Sequence, residues 1–263
     1  MSVVVLSAWD LSLAAALILL LAAMSWLMRL GLARAVTVAA LRTTVQLLLV
    51  GVVLEALFNW VHPAWMILVS LVMLLAAGRE VRARQKRRFS GWWGFGLGTL
   101  SMFISSFAIT LLALLVIVGP EPWYKPQYAI PLLGMLLGNT MNGIAIGLDR
   151  LTATAWDQRS VIEGRLILGH SWGRAIEDVR RESIRSGLIP IINSMMAAGL
   201  VSLPGMMTGQ ILGGNPPIEA VKYQILIMFL IAGGTGLGTA AAVWAGSRRL
   251  FDERQRLRLD RVR

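Results

Sequence analysis

Seven apolar stretches dominate the chain, running approximately over residues 5–28, 36–57, 63–78, 93–118, 128–148, 188–212 and 221–246. A bilayer core about 30 Å thick needs roughly 20 apolar residues at 1.5 Å each, so stretches of this length are expected to be transmembrane helices. The third is short and the fourth long, which predicts tilt or a break in both. Composition agrees. Hydrophobic residues make up 56% of the chain and charged residues 15%, against roughly 45–50% and about 25% in soluble domains. A water-soluble globule is excluded as the leading reading. The formal charge of +11 does not point to nucleic acid, because the charges fall in blocks between the apolar runs.

The first basic residue, Arg29, follows the first run instead of preceding it, so that run reads as a retained helix and not as a signal peptide. Lys and Arg then alternate between loops. Two lie after the first run, six in Arg79 to Arg88, seven in Arg150 to Arg185 and seven from Arg248 onward, leaving only Arg42, Lys125 and Lys222 elsewhere. The positive-inside rule places the N-terminus outside and the C-terminus in the cytoplasm, which requires an odd number of crossings. The expected fold is an all-α integral membrane protein of about seven transmembrane helices. Residues 1–246 form a single transmembrane domain, with a cytoplasmic loop at about 149–187 between the fifth and sixth helices, and 247–263 form a basic cytoplasmic tail.

Several chemistries are absent from the sequence. It has no cysteine and only two histidines, His62 and His170, both outside the middle of any run. Thiolate metal sites, cysteine nucleophiles and paired-histidine zinc motifs are excluded, as is an intramembrane Ser/His dyad. No phosphate loop of the form GxxxxGK[ST] occurs, so the chain does not hydrolyse ATP by that route. Catalytic residues are not assigned, and metal ligands remain unknown.

Polar groups inside apolar runs carry more information, because each costs free energy in hydrocarbon and tends to face a bundle interior or a water-filled path. Arg42 and Gln46 share one helix face, four residues apart. Asn139 and Asn142 sit among Gly134, Gly138, Gly143 and Gly147, two GxxxG pairs whose plainer use is close helix packing. Asn193, Gln210 and Gln224 complete the set. Pro204 removes a backbone donor and Gly205 is permissive, so the sixth run is expected to kink or break there. Broken helices at membrane depth are tolerated where they line protein or a cavity. Met195, Met196, Met206 and Met207 add thioethers, which pack into gaps or ligate soft metals.

The loop at 149–187 carries two short helical patterns, joined around Gly169 with His170 or Ser171 placed to cap the second. One face is free to dock on another protein, lie on the membrane or cover the bundle.

The segments LGMLLGNTMN (133–142), IPIINSMM (189–196), LVSLPGMMTGQIL (200–212) and AVKYQILIM (220–228), with LRTTVQL (41–47), resemble the iron-export ABC transporter permease family of FetB-like proteins. The resemblance covers most of the chain from about Arg42 to Gly246. It implies the membrane subunit of an ABC transporter in the bacterial inner membrane, associated with iron export and metal homeostasis. Plant relatives are linked to aluminium tolerance and, in one complex, to nucleotide-sugar export. No cofactor is implied on this chain. ATP and Mg belong to a partner ATPase in the cytoplasm, and two nucleotide sites imply a homodimer of this chain with two ATPase subunits, embedded in lipid and free of nucleic acid. Glu163 followed by Gly169 resembles the coupling loop of importer permeases, although Gly164 and Arg165 stand where that pattern has alanines. The coupling residues implied are Glu163, Leu168, Gly169 and Arg174. Arg42, Gln46, Asn139, Asn142, Asn193, Met206, Met207 and Gln210 are the pathway candidates, with the helix break at Pro204 and Gly205. The alternatives are an ATP-independent channel or secondary transporter, and a membrane enzyme that lacks any catalytic spacing. The absence of mid-span carboxylates argues against both an ion channel and a tight site for a hard cation.

Overall fold

The computed structural model describes residues 7–59 and 62–262. Residues 5 and 6 of the first expected span and Arg263 of the tail lie outside them. The described chain is helical apart from isolated bridges, and six helices are long and apolar enough to cross a bilayer. In chain order these are α1 (Ala8–Leu27), α2 (Ala33–Asn59), α3 (Pro63–Arg84), α4 (Trp93–Val118) and α5 (Pro126–Asp157), followed after an interval by α9 (Pro217–Arg249). Between α5 and α9 lie three shorter helices, α6 (Arg159–Ile167), α7 (Glu177–Ala197) and α8 (Gly205–Leu212), and a single helical turn, Trp172–Ala175.

The chain divides into two compact units, one through His62 together with Leu212–Gly214, the other comprising the remainder. In the first, α1 and α2 form a hairpin. Its turn passes through left-handed backbone at Arg29 and Gly31, and the buried Ser25 hydroxyl accepts from the Leu32 amide at 3.2 Å.

In the second unit α5 is central, packed by α3, α7 and α9. Lipid offers no hydrophobic drive between helices, so association depends on small residues that let backbones approach. Gly143 of α5, Gly187 of α7 and Thr239 of α9 form such a crossing. A methyl added at Gly187 would stand 2.5 Å from the Gly143 carbonyl oxygen, and one at Gly143 would stand 2.6 Å from Thr239 Oγ1. Gly147 sits similarly against Val243, whereas Gly138 has open space. Of the expected glycine pairs, the C-terminal half of the set makes the crossing.

The sixth expected span, 188–212, is not one helix. A single helix, α7, starts back in the charged loop at Glu177 and stops at Ala197, and α8 starts at Gly205. Ala198 turns to extended backbone, Gly199 takes φ +84°, and Pro204 has no amide to continue a ladder. The turn closes on itself through Gly199 N–H to Ser202 O at 2.9 Å and Ser202 N–H to Ala197 O at 3.1 Å. The fourth run is continuous from end to end. It absorbs its length through two π-helical turns, Phe103–Phe107 and Ala113–Val118, a distortion that recurs at functional positions.

At the charged end, α5 runs on to Asp157, past the expected start of the loop, and bends at Gln158 into α6. Ile162 and Ile176 are fully buried with Leu151, Ala155 and Val179, so the α6 hairpin is seated on the ends of α5 and α7. Each of the buried Ile, Leu and Val side chains contributes about 1.5–3 kcal/mol where this charged end meets water. The tail is folded against the same core. Phe251, Leu259 and Val262 pack with Phe89, and Ser90 binds Arg261 O through both its amide at 2.9 Å and its hydroxyl at 3.0 Å.

Candidate functional site

From the Gly143–Gly187–Thr239 crossing, α5, α7 and α9 diverge toward the broken segment. Between them opens a cavity of about 540 Å³, lined by Met135 and Asn139 of α5, Asn193 and Ser194 of α7, Pro204, Gly205 and Met206 at the break, and Gln224 and Met228 of α9. Six to eight residues separate the crossing from Asn193 and Met135, which is about 9–12 Å at the helical rise. The same three helices therefore make both a close backbone contact and a polar opening.

Gln224 is 8% exposed, and its Oε1 is buried with no hydrogen-bond partner among the described residues. An orphaned buried acceptor costs about 1–3 kcal/mol, so this oxygen is available to a guest. Asn139 donates Nδ2–H to Met135 O at 2.8 Å and Ser194 donates to Pro190 O at 2.9 Å, which leaves their acceptor capacity. Asn193 and Ser194 are exposed at the open side. No ionisable side chain lines the cavity. A second cavity, about 500 Å³, lies across the break, lined by Met195, Gly199, Met207 and again Gln224. Among the described residues no cluster of three or more His, Cys, Asp or Glu could hold a metal ion.

The structure thus brings Asn139, Asn193 and Met206 together at Pro204 and Gly205, with Met207 in the adjoining cavity. Asn142, three residues from Asn139, does not line the cavity; it is exposed and accepts from Arg84 Nη1. Gln210 lies on α8 with its Oε1 buried and without a partner among the described residues, and it lines neither cavity. Arg42 and Gln46 are exposed on α2, in the other unit. Sequence reasoning did not put Ser194, Ser202, Met135 or Met228 at the site, and it counted Gln224 among the intramembrane polar groups without adding it to the pathway. Gln224 alone carried a signal, a lone amide four residues from Met228 on one face of an apolar helix.

At the other end, α6 finishes in a Schellman motif. Gly169 N–H bonds Leu166 O at 3.0 Å, His170 N–H bonds Arg165 O at 3.1 Å, and Gly169 takes φ +88°. The motif turns Ile167 and Leu168 outward, 86% and 80% exposed, as an apolar tip on a polar surface. Glu163 is paired with Arg159 at 2.8 Å, and Arg174 is exposed. Arg165 reaches across the hairpin to Asp178 at 2.7 Å and to Ala175 O at 3.3 Å, and so joins α6 to α7. Ser171 takes the N-cap position of the single turn Trp172–Ala175 but makes no side-chain cap bond. Trp172 N–H instead donates to Gln255 Oε1 of the tail at 2.9 Å.

A family model described as Uncharacterised protein family (UPF0014) matches residues 8–251. The chain is 43% identical to UPF0014 membrane protein slr1647 of Synechocystis, over 82% of this chain and 83% of that one. It is 33% identical to Protein ALUMINUM SENSITIVE 3 of Arabidopsis thaliana, over 88% and 83% of the two chains. To the Probable iron export permease protein FetB of Escherichia coli it is 32% identical, over 82% and 81%. No solved structure matches the chain significantly.

Proposed function

The chain belongs to the UPF0014 family of membrane proteins, and from that premise we propose that it is the permease subunit of an ATP-driven exporter, powered by a separate ATPase that docks on the tip of α6. The observation that carries this reading is mechanical. The helices that frame the cavity, α5 and α7, are the ones on which the α6 hairpin is seated, and between hairpin and cavity lies a crossing with no room for a methyl group. A push on the apolar tip at Ile167 and Leu168 is carried by packed backbone to that crossing, about which the cavity ends of the helices move. Glu163 and Arg165 stiffen the hairpin, and Arg174 stands beside it for a partner's acidic groups. Because the chain has no phosphate loop, the ATP that drives such an exporter is hydrolysed on another chain.

The relative from Escherichia coli is named for iron export, which supports a metal species as cargo. Amides, hydroxyls and thioethers without a carboxylate suit a complexed or low-charge form better than bare Fe³⁺, which seeks several anionic oxygens. The interrupted α7–α8 unit, sixth in chain order, brings the crossings to seven, in keeping with the alternation of basic loops and with a C-terminus in the cytoplasm of an inner-membrane protein. Two nucleotide sites call for a second copy of the chain in the complete transporter.

The test is affinity purification from host membranes in mild detergent, comparing the native chain with Leu168→Asp. A P-loop ATPase recovered with the native chain and lost with the variant is expected. Absence of an ATPase from both samples would overturn the reading.

A further inference from the structure

The end of α9 holds a recess of a different kind, about 370 Å³ in volume. Trp93 and Trp244 stand on it, both half exposed, with Arg248, Arg249 and Arg261. The guanidinium groups are held by π faces and carbonyls and not by carboxylates. Arg249 lies 4.6 Å from the Trp93 ring centre and Arg248 lies 5.1 Å from that of Trp172, while Arg261 Nη1 donates to Arg249 O at 2.9 Å and to Phe251 O at 3.2 Å. None of the three makes a salt bridge among the described residues. Two carboxylates also line the recess. Asp252 is committed to Arg256, accepting from its amide and its Nε at 2.8 Å each, and Glu253 is exposed. Three fixed cations facing one uncommitted anion leave a net positive recess.

Its position selects the anion. The recess sits where a membrane-spanning helix ends, and tryptophans with one apolar and one polar side collect at that depth, beside the headgroups. Basic pockets between transmembrane helices at this level suit acidic headgroups. We propose that the recess binds the phosphate of an anionic membrane lipid, with Arg248 and Arg249 as its principal cations and Trp93 and Trp244 bracketing the glycerol and upper chain. Arg248 also stacks on Trp172, at the foot of the α6 hairpin, so an occupied recess fixes one wall of the coupling surface.

The test uses the full chain, delipidated in neutral detergent and titrated with phosphatidylglycerol, phosphatidylcholine or inorganic phosphate, with bound ligand counted by native mass spectrometry. Retention of one phosphatidylglycerol per chain in preference to phosphatidylcholine is expected. Each arginine near the surface contributes about fivefold, so Arg248→Gln with Arg249→Gln weakens that binding roughly 30-fold. The double lysine variant, which keeps the charge, retains most of it and shows that loss in the glutamine variant is not misfolding. Equal retention by native and glutamine chains would overturn the proposal. Saturation by inorganic phosphate at the same concentrations would overturn the lipid as the source of the anion.

Discussion

The crossing at Gly143, Gly187 and Thr239 and the cavity at the broken helix belong to the same three helices, yet they are built on opposite terms. At the crossing, backbone touches backbone, and a methyl group has nowhere to go. One to two turns away the helices part around amides and thioethers, and Gln224 Oε1 is left without a partner among the described residues. Close packing is concentrated in one place and the polar groups proposed to meet cargo in the other. A permease needs both, because a cavity that changes shape must be levered against something that does not.

Substitutions at the crossing should have the largest effect. Gly187→Ala forces its methyl against a backbone carbonyl, which cannot swing aside as a side chain does. It should cost about 1–3 kcal/mol or more, read as a fall in detergent melting temperature with loss of transport. Gly138→Ala, in open space on the same helix as Gly143, should stay within about 0.5 kcal/mol of the native chain. Equal effects from the two would dissolve the contrast.

Gln224→Leu should behave in the opposite sense. Removing an orphaned acceptor relieves part of a cost of about 1–3 kcal/mol, so the variant should melt at or above the native temperature while transport falls at least tenfold. Loss of both together would make Gln224 a structural residue and shift the site elsewhere. Asn139→Leu should follow Gln224→Leu in transport, whereas Asn142→Leu, facing Arg84, should leave transport within about twofold. Parity between the two asparagines would mean that the cavity does not define the path.

The smallest effect concerns the tail. Hydrogen bonds from Arg258, at 2.8 Å to each oxygen, hold the Asp260 carboxyl down at about 2. A carboxyl depressed in the folded chain contributes stability that is complete above its ordinary value near 4 and fades as pH falls toward 2. Hydrogen exchange across 251–262, corrected for intrinsic rates, should therefore quicken over that interval in the native chain and less so in Asp260→Asn.

Periodicity and length made the six long helices legible, along with the approximate place of the break, since Pro204 interrupts an otherwise continuous apolar run. Two things were hidden. The break expected at Pro204 and Gly205 opens earlier, at Ala198 and Gly199, whose extended and left-handed backbone hydropathy does not reveal. Helical extensions into charged sequence were also missed. The end of α5, running to Asp157, and the start of α7, at Glu177, mix charged residues with a buried face, and a search for wholly apolar runs stops short of them. At the site, Asn139 and Asn142 looked equivalent, since a spacing of three leaves them only about 60° apart around the helix, and it is tertiary packing that gives Asn142 to Arg84 and Asn139 to the cavity. Gln224 was visible as a polar group in an apolar helix, while its apposition to Asn139 and Asn193 is set by tertiary packing alone.

The chain has no cysteine, so a single one placed at Asn193 reports the cavity without background. In vesicles holding the complete transporter, labelling of Asn193→Cys by a membrane-impermeant thiol reagent should change several-fold between the nucleotide-free and ATP-trapped states, and Leu168→Asp in the same chain should abolish the change. Labelling that is blocked from both sides, or that stays constant with and without ATP, would contradict a cavity driven from the tip of α6.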